Sequence, residues 1–223
     1  NTSKIDGIYS NIEYQIELSI IINNWDYQTD LTKQLETVLS HELLHAHDDI
    51  QRYGKSSYTK SLYNVRNIVK LYFNPSTNRF NKYPALIEFM HLFYLALPIE
   101  INARVQQLYT EILPFKDKTY SELLSILNNY SVFKDLNTLE QTDIFDKIQN
   151  VPLNIQQQFV DLFITELQSA WGGNIHCPNT PNDFFKFWST QFANNAEKYR
   201  NKLEKLVQNI KGIREHDLTK EEK

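Results

Sequence analysis

The N-terminal part of the chain alternates apolar and polar residues with a period of two over residues 11–22. This alternation is typical of a half-buried strand in an antiparallel sheet, because successive side chains of a strand point to opposite faces. The free edge of such a strand could also hydrogen-bond an extended peptide, although a purely structural strand has the same pattern. The apolar positions are Ile12, Tyr14, Ile16, Leu18, Ile20 and Ile22, and the polar ones are Asn11, Glu13, Gln15, Glu17 and Ser19.

From residue 31 the apolar residues recur at spacings of three and four, which indicates a helix that packs against a core. Thr29 and Asp30 can cap its beginning and Gly54 can end it, so the pattern predicts a helix over residues 30–53. The apolar stripe consists of Leu31, Leu35, Val38, Leu39, Leu43 and Leu44.

The later part of the chain is predicted to be mainly helical, with capping signals at Thr119–Glu122 and at Thr180–Asp183. The last long helix ends at Gly212 and carries a stripe of aromatic and aliphatic residues. Such a stripe is usually part of a core, and the alternative is a face that docks an assembly partner. Its members are Phe185, Trp188, Phe192, Tyr199, Leu203, Leu206 and Ile210.

These patterns predict an α+β fold that is mostly α-helical and contains a small antiparallel sheet. We expect a single domain over residues 1–223, because a chain of this length with 41% hydrophobic residues can bury one large core. Within it, residues 1–115 would form the core with the candidate site, 116–212 a C-terminal helical annex and 213–223 a charged, frayed tail.

Composition excludes several classes of protein. The net charge of −4 and the lack of a long basic run argue against nucleic acid as a partner. No apolar run approaches the ~20 residues of a membrane span, so we expect a soluble protein without a membrane partner. The single Cys177 excludes an internal disulfide and a cysteine-rich zinc module, so any metal would be bound mainly by His and carboxylate side chains.

The segment His41-Glu42-Leu43-Leu44-His45 has the spacing of a catalytic zinc site. Residues four apart lie on one face of a helix, so His41 and His45 could bind the same Zn²⁺. The Glu42 side chain points away from the face that carries the two His. It could still reach a water molecule in the open coordination position of the zinc ion and act as general base. A random shuffle of this composition gives the pattern in about 1% of chains. The alternative is an exposed charged helix.

Asp48 and His47 follow the motif closely on the same predicted helix. Asp48 lies near the ligand face and could orient an imidazole by a hydrogen bond, although a solvated turn fits equally well. His47 faces elsewhere, and a surface or capping position fits it better than metal binding.

A catalytic zinc ion needs a third protein ligand, and Glu100 is the preferred candidate. Pro98 suits the first position of a helix, and the small side chain of Ala103, one turn after Glu100, would allow two helices to approach closely. The alternatives are Glu88, His91, Glu111 and His176. Tyr94, Tyr109 and Arg104 are unranked candidates for stabilising the oxyanion of a transition state.

With these residues the chain resembles the gluzincin branch of the zincin metallopeptidases, in which a helix with two His is followed by a helix that bears a Glu ligand. The resemblance implies a zincin-like core in which His41, His45 and Glu100 bind zinc and Glu42 is the base. Arg104 stands where thermolysin-like enzymes have an Asp that orients a His, and Asp48 could take over that role.

A second resemblance comes from the richness in Asn, Ile, Tyr and Lys and from residues 184–203. In these features the chain is similar to predicted metallopeptidases of tailed bacteriophages with AT-rich hosts. This implies a virion-associated location as an alternative to a cytoplasmic one.

The expected function is therefore zinc-dependent hydrolysis of a peptide or protein substrate. One alternative is a non-enzymatic assembly or virion component that keeps a zincin-like fold. Another is hydrolysis of a different amide, such as an acyl group or a cell-wall cross-link.

Overall fold

The computed structural model describes residues 4–10, 15–21, 31–52, 80–127, 129–171 and 176–212, apart from some side chains within these ranges. The described part is mostly helical. Its elements are β1 (Lys4–Ser10), β2 (Gln15–Ile21), α1 (Leu31–Arg52), α2 (Pro84–Leu95), α3 (Pro98–Ile112), a 3₁₀ turn (Leu113–Phe115), α4 (Tyr120–Leu127), α5 (Ser131–Gln141), α6 (Ile144–Ile148), α7 (Leu153–Trp171) and α8 (Pro181–Lys211).

Strands β1 and β2 pair antiparallel, with Lys4 opposite Ile21 and Ser10 opposite Gln15. The predicted strand is confirmed over Gln15–Ile21, whereas residues 11–14 and 22 lie outside the described part. Its polar positions are exposed and Ile16 and Leu18 are half-buried, as the alternation predicts, but Ile20 is 51% exposed. Strand β1 was not predicted, because its short alternation is interrupted by a glycine.

Helix α1 agrees with the predicted helix over residues 30–53 to within a residue at each end. It packs against the β1–β2 pair, and strand β1 makes the larger contact. A helix buried on one side by a strand holds its side chains in fixed positions, which is what a metal site on that helix requires.

A cluster of aromatic rings forms the core around helices α2, α7 and α8. The Phe89 ring is fully buried, and six other rings have their centroids 5.3 to 6.3 Å from its own. Phe185 and Phe192 of the predicted stripe are among the six, which confirms that this stripe forms part of the core. Docking of an assembly partner through the same helix stays a prediction.

The predicted capping signals are confirmed. Thr119 donates from its backbone N–H and its hydroxyl to the Glu122 carboxylate, both at 2.8 Å, and the Glu122 N–H donates back to the Thr119 hydroxyl at 3.3 Å. Thr180 and Asp183 make a similar cap at the beginning of α8. Gly212 ends α8 with φ +65°, a left-handed conformation that favours glycine.

The chain is organised in two compact units. One comprises Asn1–Tyr53, Ile101–Lys134 and Asn201–Lys223, and the other comprises Gly54–Glu100 and Asp135–Arg200. The expected single domain, with boundaries near residues 115 and 212, stays a prediction. The predicted tail lies outside the described residues.

In the described part, no single helix has the length and apolar character of a membrane span. Helices α2 and α3 meet such a criterion only when they are taken together across a bend of 69°.

Candidate metal centre

His41 and His45 occupy successive turns of helix α1, and their rings face each other. The two Nε2 atoms are 3.1 Å apart, the ring centroids are 4.7 Å apart and the ring planes are inclined by 82°. His41 is buried, and His45 has no exposed surface. The two Nε2 atoms are therefore close enough to share a hydrogen bond or to bind the same ion.

Glu100 is the third member of this group. It lies in the first turn of helix α3, where Pro98 begins the helix, and it is fully buried. One ligand atom from each of His41, His45 and Glu100 lies within 4.8 Å of the others. In the described part of the chain, no other set of His, Cys, Asp or Glu residues meets this criterion. The structure therefore assembles the predicted set, and the role of each residue as a ligand stays a prediction.

The spacing of the two nitrogens fits a bound ion. Two imidazoles that coordinate one tetrahedral zinc at 2.0–2.1 Å have their nitrogens about 3.3 Å apart, close to the 3.1 Å of this pair. A Glu100 ligand atom lies within 4.8 Å of a ligand atom of each imidazole. The group could hold a metal ion.

The buried charges also favour a cation here. The buried charged side chains are Glu42, Glu100 and Glu111, and no Lys or Arg is buried among the side chains that the structure describes. Arg104, one turn after Glu100 on α3, is half-buried. A divalent cation bound to the Glu100 carboxylate would offset part of the cost of burying its charge.

Glu42 is buried beside the imidazoles but is not part of the three-residue group. Its side chain is 4% exposed, and it lies three positions before His45, hence on a neighbouring part of the helix surface. Strand β1 passes directly over it at Gly7: a Cβ atom added to Gly7 would lie 2.8 Å from the Glu42 Cγ. No pattern in the sequence connects Gly7 with this site, and the only signal is a glycine inside a short apolar alternation.

The other candidate ligands lie elsewhere. The Glu88 carboxylate forms an ion pair with Lys147, with 2.6 Å between Oε1 and Nζ. The Glu111 carboxylate accepts a hydrogen bond of 3.2 Å from the side-chain amide of Gln107. His91 is half-buried on helix α2 and His176 is exposed. None of the four belongs to the group with His41 and His45.

The remaining predicted roles concern Asp48, His47 and the candidate oxyanion donors. Asp48 lies within α1, but its side chain is outside the described part, so its proposed hydrogen bond to an imidazole stays a prediction. His47 is exposed, as expected for a surface residue. The half-buried Tyr94, Tyr109 and Arg104 stay unranked as oxyanion donors.

The single cysteine is poorly suited to chemistry. Burial raises the pKa of the Cys177 thiol to about 11, and the contact with Trp188 opposes this only in part. Because the thiolate is the form that binds metals and attacks substrates, this side chain stays inert near neutral pH. In the described part of the chain, the group that could hold a metal ion consists of two His and one Glu, and Cys177 is not among them.

Comparison with known proteins finds no matching family model, no similar curated protein and no similar solved structure.

Proposed function

We propose that this protein is a zinc-dependent metallopeptidase with a zincin-like core around helices α1 and α3. The observation that supports this most strongly is the buried group of His41, His45 and Glu100, whose two imidazole nitrogens are 3.1 Å apart. Two imidazoles and one carboxylate are ligands typical of catalytic zinc, and three protein ligands leave the fourth position for water or substrate.

When bound, zinc would polarise the carbonyl of a scissile peptide bond and make a water molecule more acidic. Glu42 is the side chain proposed to accept the proton of that water and to pass it to the leaving amine. In the net reaction, hydroxyl adds to the carbonyl carbon, the C–N bond breaks and the nitrogen gains a proton. The closeness of Glu42 to His41 in sequence, and its burial against strand β1, support this assignment.

The burial of the site supports a second candidate function. His45 and Glu100 have no exposed surface, and Glu42 is 4% exposed. In such surroundings a metal ion would have a purely structural role: it would stabilise the fold of a non-catalytic assembly or virion component. In that case chelation would unfold or destabilise the protein, and no peptide substrate would be cleaved.

The test compares two Glu→Gln variants on the same helix. We expect the purified protein to contain one zinc ion per chain and to cleave fluorescein-labelled casein. Glu42→Gln should retain the zinc and lose at least about 100-fold in cleavage rate, because the general base is missing. Glu36→Gln changes an exposed residue of α1 and should leave both properties unchanged.

Full activity of Glu42→Gln would refute the proposed base. Bound zinc without any cleavage of casein would favour the second candidate, and parallel assays with an acylated peptide and a cell-wall peptide would detect hydrolysis of another amide.

A further inference from the structure

Gly7 occupies the point where strand β1 crosses helix α1. It lies opposite Leu18 in the antiparallel pair. Among the described residues, the glycine with a positive φ angle is Gly212 and not Gly7. The backbone conformation therefore does not explain why position 7 is a glycine. The reason must be the space around it.

That space is filled by two side chains of helix α1. A Cβ atom at Gly7 would lie 2.6 Å from the Val38 Cγ1, 2.8 Å from the Glu42 Cγ and 3.1 Å from the Leu18 Cδ2. Carbon atoms in good contact are about 3.5–4.0 Å apart. Even alanine at position 7 would therefore require its neighbours to move.

The two helix residues differ in how they can respond. Val38 is β-branched, so its χ1 angle is restricted within the helix. Glu42 has more rotatable bonds, but its contact atom is Cγ, near the backbone, and its side chain is 4% exposed. Because Glu42 is the more adjustable of the two, a side chain at position 7 would displace it.

We infer that Gly7 is a positioning residue for Glu42: strand β1 holds the side chain of the proposed base in place, and this requires glycine at position 7. The inference rests on the proposed function for its catalytic consequence. Its structural part, that the Glu42 side chain depends on the space at Gly7, rests on the contacts alone.

The distances give the size of the effect. To restore a Cβ–Cγ contact of about 3.4 Å, Glu42 would have to move by about 0.6 Å, and Val38 by about 0.8 Å. A misplacement near 1 Å in an active site costs up to about 100-fold in rate. We therefore expect Gly7→Ala to lower kcat by about 10- to 100-fold, with little change in KM and with zinc retained, because no ligand is altered.

The matched control is Gly212→Ala. It also replaces a glycine by alanine and strains a left-handed backbone, but among the described residues its Cβ would meet no atom within 4 Å beyond the adjoining chain. It should lower thermal stability while kcat and KM stay unchanged. The substrate in all cases is a quenched fluorescent peptide chosen from the fragments that the wild-type protein makes from casein.

A double variant separates packing from positioning. Val38→Ala removes the closest contact of the new Cβ and should restore the stability of Gly7→Ala, which also guards against a single variant that does not fold. The contact with Glu42 at 2.8 Å remains, so kcat should stay low. Recovery of kcat together with stability would show that Gly7 serves packing alone and would overturn the inference.

Crystal structures of the wild-type protein and Gly7→Ala test the inference without an activity assay. Displacement of the Glu42 Cγ by about 0.6 Å or more would support it, and an unmoved Glu42 would overturn it. Should the wild-type protein cleave no peptide, the proposed function fails, and these structures still decide whether Gly7 positions Glu42.

Discussion

Removal of zinc should destabilise the protein by an amount that can be worked out. A ligand that binds only the folded state at 100 times its Kd contributes about 2.7 kcal/mol. For a chain of 223 residues, 1 kcal/mol corresponds to about 2–4 °C in Tm. The two imidazole nitrogens already lie 3.1 Å apart, so binding requires little rearrangement of α1. We therefore expect the metal-free protein to melt about 5–11 °C below the zinc-loaded protein.

The assay is differential scanning fluorimetry of chelator-treated protein, with zinc added back at 100 times the Kd measured by competition with a chromophoric chelator. His45→Ala removes a fully buried ligand and should abolish the zinc-induced shift. The matched control, His47→Ala, changes an exposed histidine on the same helix and should keep it. A shift of equal size in His45→Ala and the wild-type protein would refute the assignment of this histidine as a ligand.

Three further predictions concern stability and reactivity. Phe89→Ala should lower the free energy of unfolding by about 3–5 kcal/mol in urea titrations, because it empties the middle of the aromatic cluster. Phe187→Ala, at a half-buried position, should lower the free energy of unfolding clearly less. Thr119→Ala should cost about 1 kcal/mol at pH 7. The Thr119 backbone N–H and hydroxyl both lower the pKa of Glu122, and Thr119→Ala removes only the hydroxyl. The part of the effect that comes from the hydroxyl and the ionised carboxylate is present above pH 4.5 and should shrink in acid titrations as pH falls through the lowered pKa. Cys177 should react with iodoacetamide at pH 8 about 100-fold more slowly in the native than in the unfolded protein, because its pKa rises from 9.0 to about 11, and equal rates would contradict its burial.

The parts of the fold that depend on local sequence could be predicted. The ends of helix α1 follow from its apolar spacing and flanking cap residues, and the reciprocal hydrogen bonds of Thr119 and Glu122 follow from their spacing of three. The proximity of His41 and His45 is local as well, because one helical turn brings them together.

What sequence could not decide depends on contacts between distant segments. Glu100 follows His41 by almost 60 positions, and helix periodicity does not show which of several acidic residues approaches the histidines. Glu88 looked comparable in sequence, but in the fold it makes an ion pair with Lys147. Gly7 could not be linked to Glu42, because a missing side chain leaves no periodic signal and its reason is a contact made in three dimensions.

One zinc ion is proposed to bind to His41, His45 and Glu100. Anomalous diffraction from crystals of the purified protein, recorded on both sides of the zinc absorption edge, tests this most directly. We expect one peak per chain at about 2.0–2.2 Å from the two Nε2 atoms and a Glu100 carboxylate oxygen. A zinc peak bound by other residues, or none at this group in zinc-soaked crystals, would contradict it.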